Sequence, residues 1–239
     1  MIAVSIVSHL HGKMVEQLVR QVCDFPEVSR VILTLNVHED LNLPESSKIN
    51  LISNAKTKGF SKNHNAAFRF CREPYFCVLN PDVILIENPF PSLMSSLKQE
   101  GASLVAPGVL SLSGHVEDSF RQFPSIVSIF LKLCLGKTGA YSVHANSSSM
   151  CVDWVAGMFM FFDAARFSMI GGFHEGYFLY YEDVDICMRL KHAGQKVLAC
   201  PAVQIVHDAR RASHKNARHF LWHLTSMARY FLRCLKYRS

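Results

Sequence analysis

Tyr75-Phe76-Cys77-Val78-Leu79-Asn80-Pro81-Asp82 is an apolar run closed by a polar turn. Such a run, ended by Asn-Pro-Asp, predicts a short strand buried on both faces. Ile2–Val7 and Val31–Leu35 carry the same signal, and Asn50–Ser53 gives a shorter third strand. Helical spacing separates them: Gly12 punctuates the chain before Met14–Cys23, and Ala66, Ala67 and Phe70 recur within Ser61–Arg72. Strands alternating with helices imply right-handed crossovers, an α/β fold and a mostly parallel central sheet. Ligands of such sheets bind beyond the carboxyl ends of the strands. Ser8-His9 and Asn80-Pro81-Asp82 both follow strand ends and are expected on that rim.

Composition narrows the classes. The 239 residues carry a net charge of +6 and are 18% charged, a globular balance that suits one large domain. Eight scattered cysteines form no C-x-x-C pair, which disfavours zinc ribbons and thioredoxin-type redox chemistry. No apolar run reaches the ~20 residues of a spanning helix. The opening MIAVSIVSH has no basic n-region or cleavage site, so a cytoplasmic chain with reduced thiols is expected. Ile126–Leu135 is apolar except for Lys132, and reads either as a buried helix or as a lipid-touching surface. Beyond Asp208 there is no acid but eight Lys and Arg residues, interleaved with Phe220, Leu224, Met227, Phe231 and Leu235 at helical spacing. The expected division is therefore a catalytic domain over 1–208 and a basic amphipathic helical extension over 209–239, read either as a solvated charged face or as an interfacial helix lying peripherally on anionic lipid.

Four constellations carry chemistry. Asp82 after its strand suits a hard divalent cation, Mg²⁺ or Mn²⁺, bridging a diphosphate; the bland reading is a strand-closing turn. Tyr181–Gly194 reads as a helix with Glu182, Asp183 and Asp185 in its first turn and Gly194 at its end. The dipole there favours an ionised Asp183 able to serve as a general base, against the reading of an ordinary acidic helix start. His207, ending the Ala202–Val206 strand, reads either as an imidazole ligand to the same cation as Asp82 or as an ordinary hydrogen-bonded histidine, one of twelve in the chain. In Lys58–Ala66, Gly59 permits close backbone approach before a helix N-terminus, without any dinucleotide or P-loop fingerprint.

The order of these blocks resembles the family 2 glycosyltransferases. Trp154–Met160, Ile170-Gly171-Gly172-Phe173-His174-Glu175 and Tyr177–Asp185 carry the likeness, with Cys187-Met188-Arg189-Leu190, Pro201, His207 and the upstream blocks around them. Val7-Ser8-His9, Arg121-Gln122-Phe123-Pro124, Val152-Asp153-Trp154 and Arg218–Leu224 look more narrowly like bacterial rhamnosyltransferases of surface-polysaccharide assembly. The resemblance implies a single Rossmann-like GT-A domain and inverting transfer from a nucleotide-diphosphate sugar. Position by position it implies Asp183 as base and Asp82 with His207 at the metal. On the donor side it implies Ser8, His9, Asn36, Gly59, Asn65 and Asn80. On the acceptor side it implies Asp153, Trp154, Gly157 and Glu182.

The expected reaction is transfer of L-rhamnose from dTDP-L-rhamnose to a polyprenyl-diphosphate-linked saccharide in O-antigen or other surface-polysaccharide synthesis. It would take place on the cytoplasmic face of the inner membrane, with no nucleic-acid partner. The alternatives are a same-fold transferase using a UDP-hexose, or a non-catalytic lipid- or nucleic-acid-binding module working through the basic tail. Trp154 is read either as a sugar platform or as a core aromatic, and Arg121 either as a phosphate partner or as a salt-bridge residue.

Overall fold

A computed structural model of the chain describes residues 1–125, 139–141, 147–208 and 217–236. The stretch Ile126–Leu135 lies outside them. The first half contains β1 (Ile2–Ser8), α1 (Lys13–Asp24), β2 (Val28–Leu35), β3 (Ile49–Ser53), α2 (Phe60–Phe68) and β4 (Tyr75–Leu79). It continues with β5 (Val83–Leu85), α3 (Phe90–Glu100) and β6 (Leu104–Ser111). The second half contains β7 (Phe120–Arg121), β8 (Met150–Cys151), β9 (Trp154–Val155), β10 (Phe159–Asp163) and α4 (Ala164–Met169). It ends with α5 (Glu182–His192), β11 (Val197–His207) and α6 (Ala217–Lys236).

The main sheet has the order β3-β2-β1-β4-β10-β6-β11-β5, with β8 pairing β11. The pairs β3/β2, β2/β1, β1/β4 and β6/β11 are parallel, while β10, β5 and β8 run antiparallel to their neighbours. Six of the nine strands therefore share one direction, as the sequence predicts. The inserted β10 turns its start toward the same rim as the ends of β1 and β4.

Alternation along the buried strands splits the core into two layers. Ile2, Val4 and Ile6 of β1, Cys77 and Leu79 of β4, and Phe159 and Phe161 of β10 join α1 and α3 on one face. Ala3, Phe76, Val78, Met160 and Phe162 face α2, α4, α5 and α6 on the other. The double-sided apolar pattern thus reflects burial between two helical layers.

Two boundaries differ from expectation. Helix α2 stops at Phe68, short of Arg72: Phe70 is exposed and packs no further turn, and Pro74 disfavours helix at the residue before it. Strand β11 begins at Val197 and breaks register between Cys200 and Gln204, around Pro201, which has no amide to donate.

Candidate active site

The residues that converge do so at the strand-end rim. The Asn80 amide donates to Met158 O at 2.9 Å, and the adjacent Gly157 amide donates to Asp183 Oδ2 at 3.1 Å. Two consecutive residues before β10 therefore tie the Asn80–Asp82 turn to the first turn of α5. The end of β11 closes the other side. His207 pairs with Val83 of β5, its Nε2 lies 3.4 Å from Asp82 Oδ2, and the Asp208 amide donates to Asp82 O. Asp82, His207 and Asp183, more than 100 residues apart at the extremes, share one region.

Asp82 Oδ1 is buried without a hydrogen-bond partner. An orphaned carboxylate oxygen beside an imidazole nitrogen suits a hard cation such as Mg²⁺ or Mn²⁺. No group of three or more His, Cys, Asp or Glu among the described residues is arranged to hold a metal by itself. Glu117, which the sequence reading missed, lies on the far side of the ring, its Oε2 3.3 Å from His207 Nδ1. Burial alone lowers the His207 pKa, but the hydrogen bonds and charges of Asp82 and Glu117 together raise it. Two carboxylates around one imidazole make a site that rewards positive charge.

Asp183 is held through both oxygens, Oδ1 accepting from the Val184 amide at 2.8 Å and Oδ2 from Gly157. Desolvation raises its pKa against these bonds and against the Arg121 charge. Burial therefore outweighs the amide hydrogen bonds and the nearby cation, which favour the anion. A raised pKa makes the carboxylate a stronger base. Immediately before it, Tyr180 and Tyr181 both adopt left-handed backbone, φ 71° and 67°. Such non-glycine conformations cost about 1–3 kcal/mol each and persist only where surrounding contacts enforce them.

Glu182 is 6% exposed and its Oε2 has no partner. Burial, then the Asp183 charge, push its pKa well above the carboxylate range. A buried acid with a raised pKa takes up a proton on folding, so its cost to stability grows as pH rises past the ordinary carboxylate value. Glu182→Gln should therefore melt higher than the parent at pH 8, with the gap closing toward pH 5 in calorimetric scans. The third acid, Asp185, is fully buried between two arginines, each Nε at 2.7 Å: Arg189 of α5 and Arg233 of α6. Its role is to latch α6 onto α5.

Several other expected residues have different partners. Asn36 is spent on framework bonds: its Nδ2 donates to Lys58 O, and its Oδ1 accepts from the Lys58 amide and Asn54 Nδ2. Gly59 does permit close approach, but to Phe178, whose carbonyl oxygen lies 2.3 Å from where a Cβ would stand. Gly59→Ala should cost about 1–3 kcal/mol in chemical denaturation, because backbone must shift. Asn65 clamps the Phe173 amide and carbonyl at 2.9 and 2.8 Å, fixing the Gly171–Glu175 loop. Trp154 is 8% exposed, donates to Gln122 O and lies under Arg121, so it is a core aromatic with no open face for a sugar. Asp153 pairs with Lys191 and accepts the Phe123 amide. Arg121 lies 3.0 Å from Asp118.

Ser8 is buried and donates to Glu39, which also accepts the Leu10 and Gly12 amides; His9 beside it is exposed. Glu39 was missed although Glu39-Asp40 follows the second strand, because an acidic pair in a loop looks like ordinary solvated surface.

Residues 33–159 match the family model for glycosyl transferase family 2, slightly over half the chain. The chain belongs to this family. It is therefore a glycosyltransferase, and its fold is of the GT-A type. Rhamnosyltransferase WbbL of Escherichia coli (strain K12) is 29% identical over 254 aligned positions, covering 98% of this chain and 93% of that protein. An N-acetylglucosaminyl-diphospho-decaprenol L-rhamnosyltransferase of Mycobacterium tuberculosis is 29% identical over 162 positions, covering 62% of this chain and 53% of its own length. Among solved structures, GalNAc-T7 with UDP, GalNAc and Mn²⁺ superposes with a TM-score of 0.66 at 12% identity, over 88% of this chain and 44% of that one. Mannosyltransferase PcManGT from Pyrobaculum calidifontis, in complex with GDP-Man and Mn²⁺, gives 0.60 at 12% identity, over 95% and 64%. At such identities these two likenesses speak for the fold.

Proposed function

We propose that this glycosyltransferase moves L-rhamnose from dTDP-L-rhamnose to a saccharide carried on a polyprenyl diphosphate, in O-antigen or other surface-polysaccharide assembly, with inversion. The observation that supports the reading is the hydrogen-bonded path through Gly157 and Met158, which links Asp183 to the Asn80–Asp82 turn that also carries the Asp82–His207 pair. The choice of sugar is supported by similarity over nearly the full length to a rhamnosyltransferase. Such an acceptor would bring the enzyme to the cytoplasmic face of the inner membrane.

Asp183 takes the proton of the acceptor hydroxyl as its oxygen bonds to the anomeric carbon. On the opposite face the bond from that carbon to the diphosphate oxygen breaks, and the electron pair leaves with the nucleoside diphosphate. Gly157 and the Val184 amide keep both carboxylate oxygens aimed, which lowers the entropic cost of the near-attack geometry. Asp82 and His207 would hold a divalent cation, Mg²⁺ or Mn²⁺, whose charge when bound stabilises the departing diphosphate. His9 and Asn80 line the donor side of the same rim, and Glu182 lies beside the base on the acceptor side.

The test is incubation with a panel of nucleotide sugars and a polyprenyl-diphosphate-linked GlcNAc, read by mass spectrometry. A product heavier by one deoxyhexose is expected. A hexose gain would select the UDP-hexose reading, and no gain with any donor would overturn the proposed reaction.

A further inference from the structure

Helix α6 has two working faces. The inner one holds four consecutive residues of the strained turn before Asp183. Trp222 packs on Phe178 at 4.5 Å between ring centroids, Ser226 donates to Leu179 O at 2.9 Å, and His219 Nδ1 lies 3.0 Å from the Tyr180 hydroxyl. Tyr230, 2% exposed, packs on Tyr181. Behind this turn, the Phe178 carbonyl accepts the Phe60 amide beside Gly59. The two left-handed tyrosines are among these four residues.

The outer face is unlike that of an ordinary surface helix. Phe220, Leu221, Leu224, Leu232 and Leu235 are 39–66% exposed and recur at helical spacing on one side. Arg218 and Arg229 border them on one side, the Arg229 guanidinium also donating to the Gly176 carbonyl and lying over Tyr177, and α6 has no acidic residue. No helix among the described residues is long and apolar enough to cross a membrane. An apolar stripe bordered by cations, on a helix unsuited to spanning, fits the plane of an anionic bilayer, with side chains among the acyl chains and arginines at the headgroups. A second copy would bring like charges together at the same stripe. A nucleic acid would neutralise the arginines but leave five large apolar side chains in water.

We propose that the outer face of α6 seats on an anionic lipid surface, while its inner face clamps the Phe178–Tyr181 turn that aims Asp183. Lipid seating and alignment of the base then belong to one rigid element. His219 and Ser226 are positioning residues in this arrangement. The lipid half stands on α6 alone, whereas the clamp half rests on the proposed role of Asp183.

Two experiments test the two halves separately. The full chain should co-sediment with vesicles of phosphatidylethanolamine and phosphatidylglycerol and not with phosphatidylcholine alone. Leu224→Glu with Leu235→Glu should weaken that binding at least about tenfold with an unchanged circular-dichroism melt. Equal binding by parent and variant, or binding by neither, overturns the lipid half. So does a dimer in sedimentation velocity that the variant abolishes without any vesicle binding, which would assign the face to a second copy. Vesicle binding with no sugar transfer leaves the lipid half standing and sinks only the proposed reaction. For the clamp, His219→Ala should lower kcat about tenfold at unchanged donor KM, with His219→Gln restoring much of it; a rise in donor KM instead, or no change, overturns it.

Discussion

Asp183→Asn should lower transfer by about 10²–10⁴-fold, the usual worth of a positioned base, while nucleotide binding stays close to that of the parent. The substitution keeps volume but removes the proton acceptor. It also turns one carboxylate oxygen into an NH₂ group facing either the Gly157 or the Val184 amide, both of which are donors. Part of the loss is therefore misalignment, and Asp183→Ala separates that share from the chemistry. Because desolvation raises the Asp183 pKa, the acid limb of kcat/KM against pH should lie above the ordinary aspartate range. Activity is lost as pH falls through that raised value, since protonation removes the base. Isothermal titration with dTDP and a pH–rate profile check both parts; retained turnover in Asp183→Ala would remove the residue from the mechanism.

Asp82→Asn should cost about 10²–10³-fold in transfer, the scale for losing one preorganised stabiliser of developing negative charge. Its Oδ1 makes no hydrogen bond within the chain, so any fall in melting temperature should come from the lost charge facing His207 on Oδ2 and should shrink as pH rises and the imidazole deprotonates. The independent readout is Mn²⁺ binding followed by electron paramagnetic resonance in the presence of dTDP, which should weaken in parallel. Glu117→Gln should weaken it by about 10–100-fold, since a carboxylate on the second nitrogen orients a ligating imidazole. Full turnover of the parent after exhaustive chelation would end the metal assignment.

The fold was open to reading because its signals are local. Double-sided apolar runs at β1, β2 and β4 announce burial between layers, and helices between them impose the crossovers. Gly194, at φ 70°, stands past the end of α5 as its sequence position suggests. The family likeness then named candidates along the chain without saying which of them touch.

The individual roles were less accessible. Asn36, Gly59 and Asn65 are residue types that suit a nucleotide site, and the structure spends all three on its own backbone: at Lys58, Phe178 and Phe173. Glu39 and Glu117 act through partners 27 to 90 residues away, and such pairings leave no periodic trace in a sequence. The amphipathic pattern of α6 was visible, yet which side turned inward was not. The packing of Trp222, Ser226 and Tyr230 on the Phe178–Tyr181 turn set that orientation and left the leucine stripe outside.

Residue order alone thus determined the layered α/β architecture and the strand-end rim with the acids carried on it, because propensity and periodicity act over a few neighbours. Tertiary structure alone decided which acids are neutralised, which stay desolvated and which helix face meets solvent. Those outcomes depend on distances between remote segments and on the water they exclude.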